Sequence, residues 1–172
     1  MKHIAVIGAK KSGKTAVVSY LIERLSRDGF KVAAVKHIHH EVTIDTEGKD
    51  TYRMSQSGAQ IVASVSPKET AVLFYGRHSS AIQMLWEIFD REKIDVVLYE
   101  GFRDQLGKNK DISKIVTVKH VSELDILNHL DGPILAIFSF EKNVGNDSVQ
   151  VFGPDAKEDF YIHVLNQIGL KR

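Results

Sequence analysis

Short apolar runs alternate along the chain with segments whose apolar residues recur every three or four positions. The runs predict strands, and the periodic segments predict helices. Runs that are apolar throughout indicate strands buried on both faces. The predicted strands are residues 3–8, 31–37, 60–66, 69–76, 94–101, 114–119, 133–140 and 149–153, with 41–45 as an edge strand. The predicted helices are residues 15–27, 48–58, 80–92, 155–168 and one within 122–130.

This order of elements predicts an α/β fold with a mostly parallel sheet flanked by helices. Residues 60–76 depart from strict alternation, because two strand-like runs are joined there through Pro67. They predict an antiparallel β extension. The length predicts a single domain over residues 1–172. Ligands of such sheets bind at the carboxyl ends of the strands, which gives every candidate residue a geometric test.

Composition narrows the classes of function. The formal net charge is +1, so no overall charge favours nucleic acid or a membrane surface, and an anion site must be local. The chain has no cysteine, which excludes disulfides, zinc–thiolate sites and cysteine nucleophiles. No apolar run approaches the roughly 20 residues of a membrane span. The run before Gly8 is too short for the core of a signal peptide, so we expect a cytoplasmic protein.

The segment GAKKSGKT, residues 8–15, stands between the first predicted strand and the first predicted helix. It matches G-x-x-x-x-G-K-[ST], the phosphate-binding P-loop. Glycines let the backbone curl so that N–H groups face phosphate oxygens, and the helix N-terminus favours an anion. Lys14 is placed for the β- and γ-phosphates, and Thr15 for Mg²⁺. The predicted phosphate-binding residues are Gly8, Lys11, Ser12, Gly13, Lys14, Thr15 and Ala16.

A P-loop names only a class of ligand, and phosphoryl chemistry also requires acids that organise Mg²⁺ and water. Glu100 ends the apolar run DVVLYEG, as a Walker-B acid does; a surface acid at the start of a loop is the alternative. Asp45 is a second candidate acid, for Mg²⁺ or for orienting the attacking water, with a plain turn residue as the alternative. We therefore predict Lys14, Asp45 and Glu100 as catalytic residues and Thr15, Asp45 and Glu100 as the metal site.

Two polar clusters follow the second predicted strand. His37 and His39 share one side of an extended chain, and His40 faces the other. Zinc usually requires three or four ligands, so polar loop residues or contacts to a phosphate or pterin oxygen are favoured. Lys49 and Arg53 are four residues apart and would share a helix face. Either they clamp an anionic ligand or they form a solvated surface.

Together these segments resemble the family of the molybdopterin-guanine dinucleotide biosynthesis protein MobB. The resemblance rests on GAKKSGKT, VKHIHH with Asp45 following, GKDTYRMSQSGA and VVLYEGF, in that order, over residues 3 to about 103. The second and third segments are far more particular than the P-loop. The resemblance implies a P-loop NTPase fold of the metallochaperone-like GTPase type and a homodimer.

The resemblance also implies a function in the last steps of molybdenum cofactor synthesis. It implies a GTP-binding protein with weak, Mg²⁺-dependent GTPase activity, acting as partner of the MobA-type guanylyltransferase that attaches GMP to molybdopterin. GTP and Mg²⁺ are the implied cofactors, and molybdopterin is a further candidate ligand. By position, the P-loop residues bind phosphates and Mg²⁺, Asp45 and Glu100 lie near the metal, and His37, Lys49 and Arg53 contact triphosphate or pterin.

Some positions depart from the family pattern. Ala9 stands where many relatives carry a lysine after the first glycine, and Ala16 stands where a second threonine is frequent. The segment EKNVGND is not the guanine-reading N-K-x-D motif, so the motifs do not separate GTP from ATP. The alternatives are a P-loop small-molecule kinase, a non-catalytic nucleotide or pterin carrier, and a nickel metallochaperone GTPase. The last is disfavoured because cysteine and a long histidine-rich tract are absent.

Overall fold

The computed structural model describes residues 1–38, 43–76, 81–142 and 144–171. The strands of the described residues are β1 (Lys2–Gly8), β2 (Val32–Lys36), β3 (Ile61–Val65), β4 (Thr70–Phe74), β5 (Val96–Glu100), β6 (Ser113–Val118), β7 (Ile134–Ser139) and β8 (Val151–Phe152). Their α-helices are α1 (Lys14–Arg27), α2 (Asp50–Gln56), α3 (Ala81–Arg91), α4 (Arg103–Leu106) and α5 (Lys157–Gln167). The chain forms two compact units, Met1–His37 with Glu87–Arg172, and Ile38–Trp86.

The first unit is built on a six-stranded sheet in the order β2-β5-β1-β6-β7-β8. Every neighbouring pair in it is parallel. Parallel strands cannot be joined by tight hairpins and need crossover connections, and α1 connects β1 to β2 in this way. The predicted fold class is therefore confirmed. Because β1 has neighbours on both sides, the loop after it lies at the carboxyl edge of the sheet, between the ends of β5 and β6.

The core of the first unit follows from the apolar strands and from the period of the helices. Residues Ile4 to Ile7 of β1 are almost fully buried. Helix α1 buries Val17, Val18, Leu21 and Leu25, which recur on one face of the helix. Helix α5 buries Phe160, Tyr161, Val164 and Leu165. Each such side chain contributes about 1.5–3 kcal/mol of hydrophobic free energy, so the sheet forms a rigid base for the loop.

The second unit contains the hairpin of β3 and β4 together with α2. The hairpin is antiparallel, with Ile61 opposite Phe74 and Val65 opposite Thr70. The predicted antiparallel strands are confirmed, and they form a two-stranded sheet of their own. The Ser66 hydroxyl accepts hydrogen bonds from the N–H groups of Lys68 and Glu69, which closes the turn at Pro67.

Three elements differ from the sequence prediction. Residues 43–45 are not a strand, and 41–42 lie outside the described residues. Here the backbone N–H groups bond to nearby side chains instead of to a neighbouring strand. Thr43 Oγ1 accepts the N–H of Asp45, and Asp45 Oδ1 accepts the N–H of Thr46. The helix predicted within 122–130 is a 3₁₀ helix, Val121–His129. Its leucines at 124, 127 and 130 recur every three residues, the period of a 3₁₀ turn. The short helix α4 was not predicted.

The prediction of one domain over residues 1–172 stays a prediction, as does the cytoplasmic location. None of the helices in the described part of the chain has both the length and the apolar character needed to cross a bilayer.

Candidate functional site

The loop between β1 and α1 is shaped by two glycines that accept no side chain. A Cβ on Gly8 would lie 2.3 Å from the carbonyl oxygen of Thr117 and 2.5 Å from Oγ of Ser12. Gly13 has φ of 92°, and a Cβ on it would lie 2.0 Å from the ring of Phe140. Lys11 also has a positive φ, of 63°. The loop therefore curls tightly against its neighbours, as a phosphate-binding loop requires.

A buried pair of hydroxyl groups fixes this loop to the sheet. The side chain of Ser12 is fully buried, and its hydroxyl lies 2.7 Å from the hydroxyl of Thr117 in β6. Thr117 is also fully buried, and its hydroxyl donates to the carbonyl of Ile7 at 3.5 Å. Sequence reasoning missed Thr117. Its signal is a polar residue in the middle of the apolar run KIVTV, where a buried hydroxyl needs a partner.

The ammonium group of Lys14 lies within the curl of the loop. It donates hydrogen bonds to the carbonyl oxygens of Gly8 at 3.0 Å and Ala9 at 2.6 Å. Burial lowers the pKa of Lys14; the negative charge of Glu100 raises it, and the positive charge of Lys36 lowers it further. A cation so placed beside a helix N-terminus is what the terminal phosphates of a nucleotide need.

Thr15 and Glu100 meet at the carboxyl end of β5. The Thr15 hydroxyl donates to Oε1 of Glu100 at 2.7 Å. The ammonium of Lys36 lies 3.1 Å from the same oxygen, and the Glu100 side chain is only 13% exposed. A hydroxyl and a carboxylate are the oxygen donors that Mg²⁺ takes when phosphates and water complete its shell. The donor set therefore fits Mg²⁺, while the assignment of Thr15 and Glu100 as ligands stays a prediction.

His37 lies at the same edge of the sheet and contacts protein groups. The amide of Gln105 donates to Nε2 of His37 at 3.2 Å, and the rings of His37 and Phe102 lie 4.9 Å apart. His39 and His40 lie outside the described residues. In the described ranges, no three His, Asp or Glu side chains are grouped as a metal site. A role of His37 at a phosphate or pterin stays a prediction.

Asp45 belongs to the second unit, where it joins three segments. Its Oδ1 accepts from the Thr46 N–H and the Thr51 hydroxyl, each at 2.9 Å, and its Oδ2 accepts from the Tyr75 hydroxyl at 2.8 Å. Burial raises the pKa of Asp45, but the hydrogen bonds from Tyr75, Thr51 and Thr46 together bring it below its ordinary value. These contacts give Asp45 a structural role that the sequence did not predict. Its predicted role at metal or water stays a prediction.

Lys49 precedes α2 and Arg53 lies within that helix, also in the second unit. Lys49 is the residue that caps the helix, and its carbonyl accepts the N–H of Arg53 at 3.0 Å. The Arg53 side chain is 77% exposed and lies 3.8 Å from the carboxylate of Asp50. An open depression of about 580 Å³ is lined by Asp50, Arg53, Met54, Ser57 and Ala59. The depression offers one cation and one carboxylate beside an apolar side chain.

The sheet order and the glycine-shaped loop after β1 define a P-loop NTPase fold. The model of the family "Molybdopterin guanine dinucleotide synthesis protein B" matches residues 3–139. The chain belongs to this MobB family, and the predicted resemblance is confirmed.

Known proteins agree with this assignment. The chain is 32% identical over 102 residues to the molybdopterin-guanine dinucleotide biosynthesis adapter protein of Haemophilus influenzae, a match that covers 59% of this chain and 57% of the relative. It is 32% identical over 107 residues to the Escherichia coli adapter protein, covering 61% and 58%. The match thus spans just over half the length of these relatives. The crystal structure of Bacillus subtilis MobB superposes with a TM-score of 0.74 at 25% identity, covering 98% of both chains.

Proposed function

We propose that this protein is a Mg²⁺-dependent GTP-binding protein with slow GTPase activity that assists the synthesis of molybdopterin guanine dinucleotide. The observation that carries the proposal is the convergence of Lys14, Thr15 and Glu100 around a curled loop at the carboxyl edge of a parallel sheet. This edge is where such folds bind nucleotides.

The site supports phosphoryl chemistry by position and charge. The main-chain N–H groups of the loop and the Lys14 ammonium would hold the phosphates and stabilise the charge that develops on the transferred group. Thr15 and Glu100 would hold Mg²⁺, which neutralises charge on the β- and γ-phosphate oxygens. Asp45 is our candidate for orienting the attacking water. An arginine finger accelerates such reactions by about 10³–10⁵; GAKKSGKT contains no arginine, so we expect slow turnover until another chain supplies a cation.

The partner we propose is a MobA-type guanylyltransferase. The relatives from Haemophilus influenzae and Escherichia coli are named adapter proteins of molybdopterin-guanine dinucleotide biosynthesis, and an adapter acts through another protein. We place this action in the cytoplasm. A carrier of nucleotide or pterin without required hydrolysis would use the same site, and the rate experiment below separates the two.

A homodimer is part of the proposal, and the hairpin of the second unit supplies the surface. In this hairpin Ile61, Ala63 and Val65 lie on one face, with Val72 opposite Ala63. Ile61, Val65 and Val72 are 57%, 80% and 48% exposed. Aligned apolar side chains on a small sheet favour association with another protein surface, and we assign a second copy of this chain to it.

Molybdopterin is the third proposed ligand, at the depression beside α2. A carboxylate such as Asp50 pairs with the adjacent amino and ring N–H groups of a pterin, and Arg53 suits its phosphate. Met54 adds an apolar wall. The geometry is open, which fits a cargo that is handed to a partner.

Titration of the protein with GTP, ATP and molybdopterin, each with and without Mg²⁺, tests these assignments. We expect GTP to bind, and Lys14→Ala to lower its affinity by more than about 100-fold. Lys2→Ala, at the opposite end of β1, is the control for loss of charge. Unchanged GTP affinity in Lys14→Ala would reject the site. Single-turnover GTP hydrolysis with and without the guanylyltransferase then tests the partner, and a rate that the partner does not raise favours the carrier role.

A further inference from the structure

Lys36 belongs to the segment VKHIHH, but the sequence pattern gives it no role at the P-loop site. It is the last residue of β2 and lies directly opposite Glu100 in the parallel pairing of β2 with β5. Val6 of β1 lies opposite the same glutamate, and Val6 is packed in the core cluster that includes α1. Side chains at paired positions share a face of the sheet, so Lys36 and Glu100 both lie on the α1 side, where Thr15 lies in the first turn of the helix.

Two groups already compete for one oxygen of Glu100. Oε1 accepts the Thr15 hydroxyl at 2.7 Å and lies 3.1 Å from the ammonium of Lys36. The Lys36 side chain is 58% exposed, so water can solvate its ammonium when it leaves the carboxylate. Thr15 and Lys36 therefore both bind the carboxylate that we assign to the metal site.

We propose that Lys36 shares Glu100 with the metal, so that the site accepts a nucleoside triphosphate both with and without Mg²⁺. This inference rests on the proposed function. Without metal, an uncompensated Glu100 would repel a triphosphate held by the loop, and Lys36 removes that repulsion. With metal, Glu100 turns to the ion, and the released ammonium is available to the phosphates. Lys36 thereby reduces the factor by which Mg²⁺ raises the affinity for the nucleotide. By linkage, it reduces by the same factor the effect of the nucleotide on Mg²⁺ affinity.

The test is the ratio of the GTP dissociation constant in EDTA to that in Mg²⁺, measured by calorimetry at one ionic strength. Lys36→Met should weaken binding about tenfold in EDTA and less than about threefold in Mg²⁺, so the ratio rises. Glu100→Gln should move the ratio in the opposite direction, because the repelling carboxylate and the metal ligand are both removed. Lys36→Arg keeps the charge and should restore the wild-type ratio.

A merely structural role of Lys36 would weaken GTP equally in both conditions and leave the ratio unchanged, which overturns the inference. Lys2→Met removes the same charge at the opposite end of the sheet and should not change the ratio. If Lys36→Met does not fold, Lys36→Gln removes the same charge with a polar side chain at this exposed position, and the same rise in the ratio is expected of it. Wild-type protein that binds no GTP in either condition would overturn the proposed function as well, and that result is distinct from an unchanged ratio.

Discussion

The hydroxyl of Thr15 donates a hydrogen bond of 2.7 Å to Oε1 of Glu100. The bond joins the first turn of α1 to the carboxyl end of β5, although 85 residues separate the two in the sequence. Neither residue is placed by local structure alone. The sheet order sets them together, because β5 is the neighbour of the strand that leads into the loop.

The first prediction concerns the hydroxyl group of Thr15. Thr15→Val removes the hydroxyl at nearly constant volume, so the proposed Mg²⁺ site loses one of its two protein ligands. We expect the gain in GTP affinity that Mg²⁺ provides to fall by about tenfold or more. Thr15→Ser keeps the hydroxyl and should keep the gain. Calorimetric titrations with and without Mg²⁺ measure it. An intact gain in Thr15→Val would remove Thr15 from the metal site.

The second prediction concerns the pair that holds the loop. Thr117→Val leaves the buried hydroxyl of Ser12 without its 2.7 Å partner. An unpaired buried hydroxyl costs about 1–3 kcal/mol. The melting temperature of Thr117→Val should therefore be lower than that of the wild type, by about 2–4 °C for each kcal/mol in a chain of this size. GTP affinity should fall as well, because the loop loses its anchor. Thr117→Ser is the matched control, and equal stability in the two variants would show that the bond contributes nothing.

The parallel sheet and the P-loop could be predicted because their sequence signals, apolar runs and a short motif, lie within consecutive residues. The run that ends at Glu100 also pointed to its acid. Lys36 and Thr117 were missed because their importance arises from contacts with residues distant in the sequence, Glu100 and Ser12 respectively. The structural role of Asp45 was missed for the same reason, since Tyr75 is 30 residues away. Local sequence patterns predict secondary structure and short motifs, whereas the order of the strands determines which distant side chains come into contact.

The third prediction concerns the exposed face of the hairpin. Val65→Glu places a charge on the surface that we assign to the second copy, and burying an unpaired charge there is costly. We expect the wild-type protein to be a dimer and Val65→Glu to be a monomer in light scattering after size-exclusion chromatography. Ser64→Glu adds the same charge on the other face of the strand and should remain a dimer. A dimer in both variants would place the interface elsewhere.

The fourth prediction uses the lowered pKa of Asp45, which hydrogen bonds from Tyr75, Thr51 and Thr46 hold down against the effect of burial. A carboxyl whose folded pKa lies below its unfolded value of about 3.9 stabilises the fold above that pH and loses the effect as the pH falls through the folded pKa. Asp45→Asn should therefore lower the melting temperature at pH 5–7, measured without nucleotide or metal. The difference from wild type should shrink below about pH 4. Asp50→Asn makes the same substitution at an exposed carboxylate and measures the effect of losing one negative charge alone. A difference that persists unchanged at low pH would contradict the assignment of these hydrogen bonds to the ionised form.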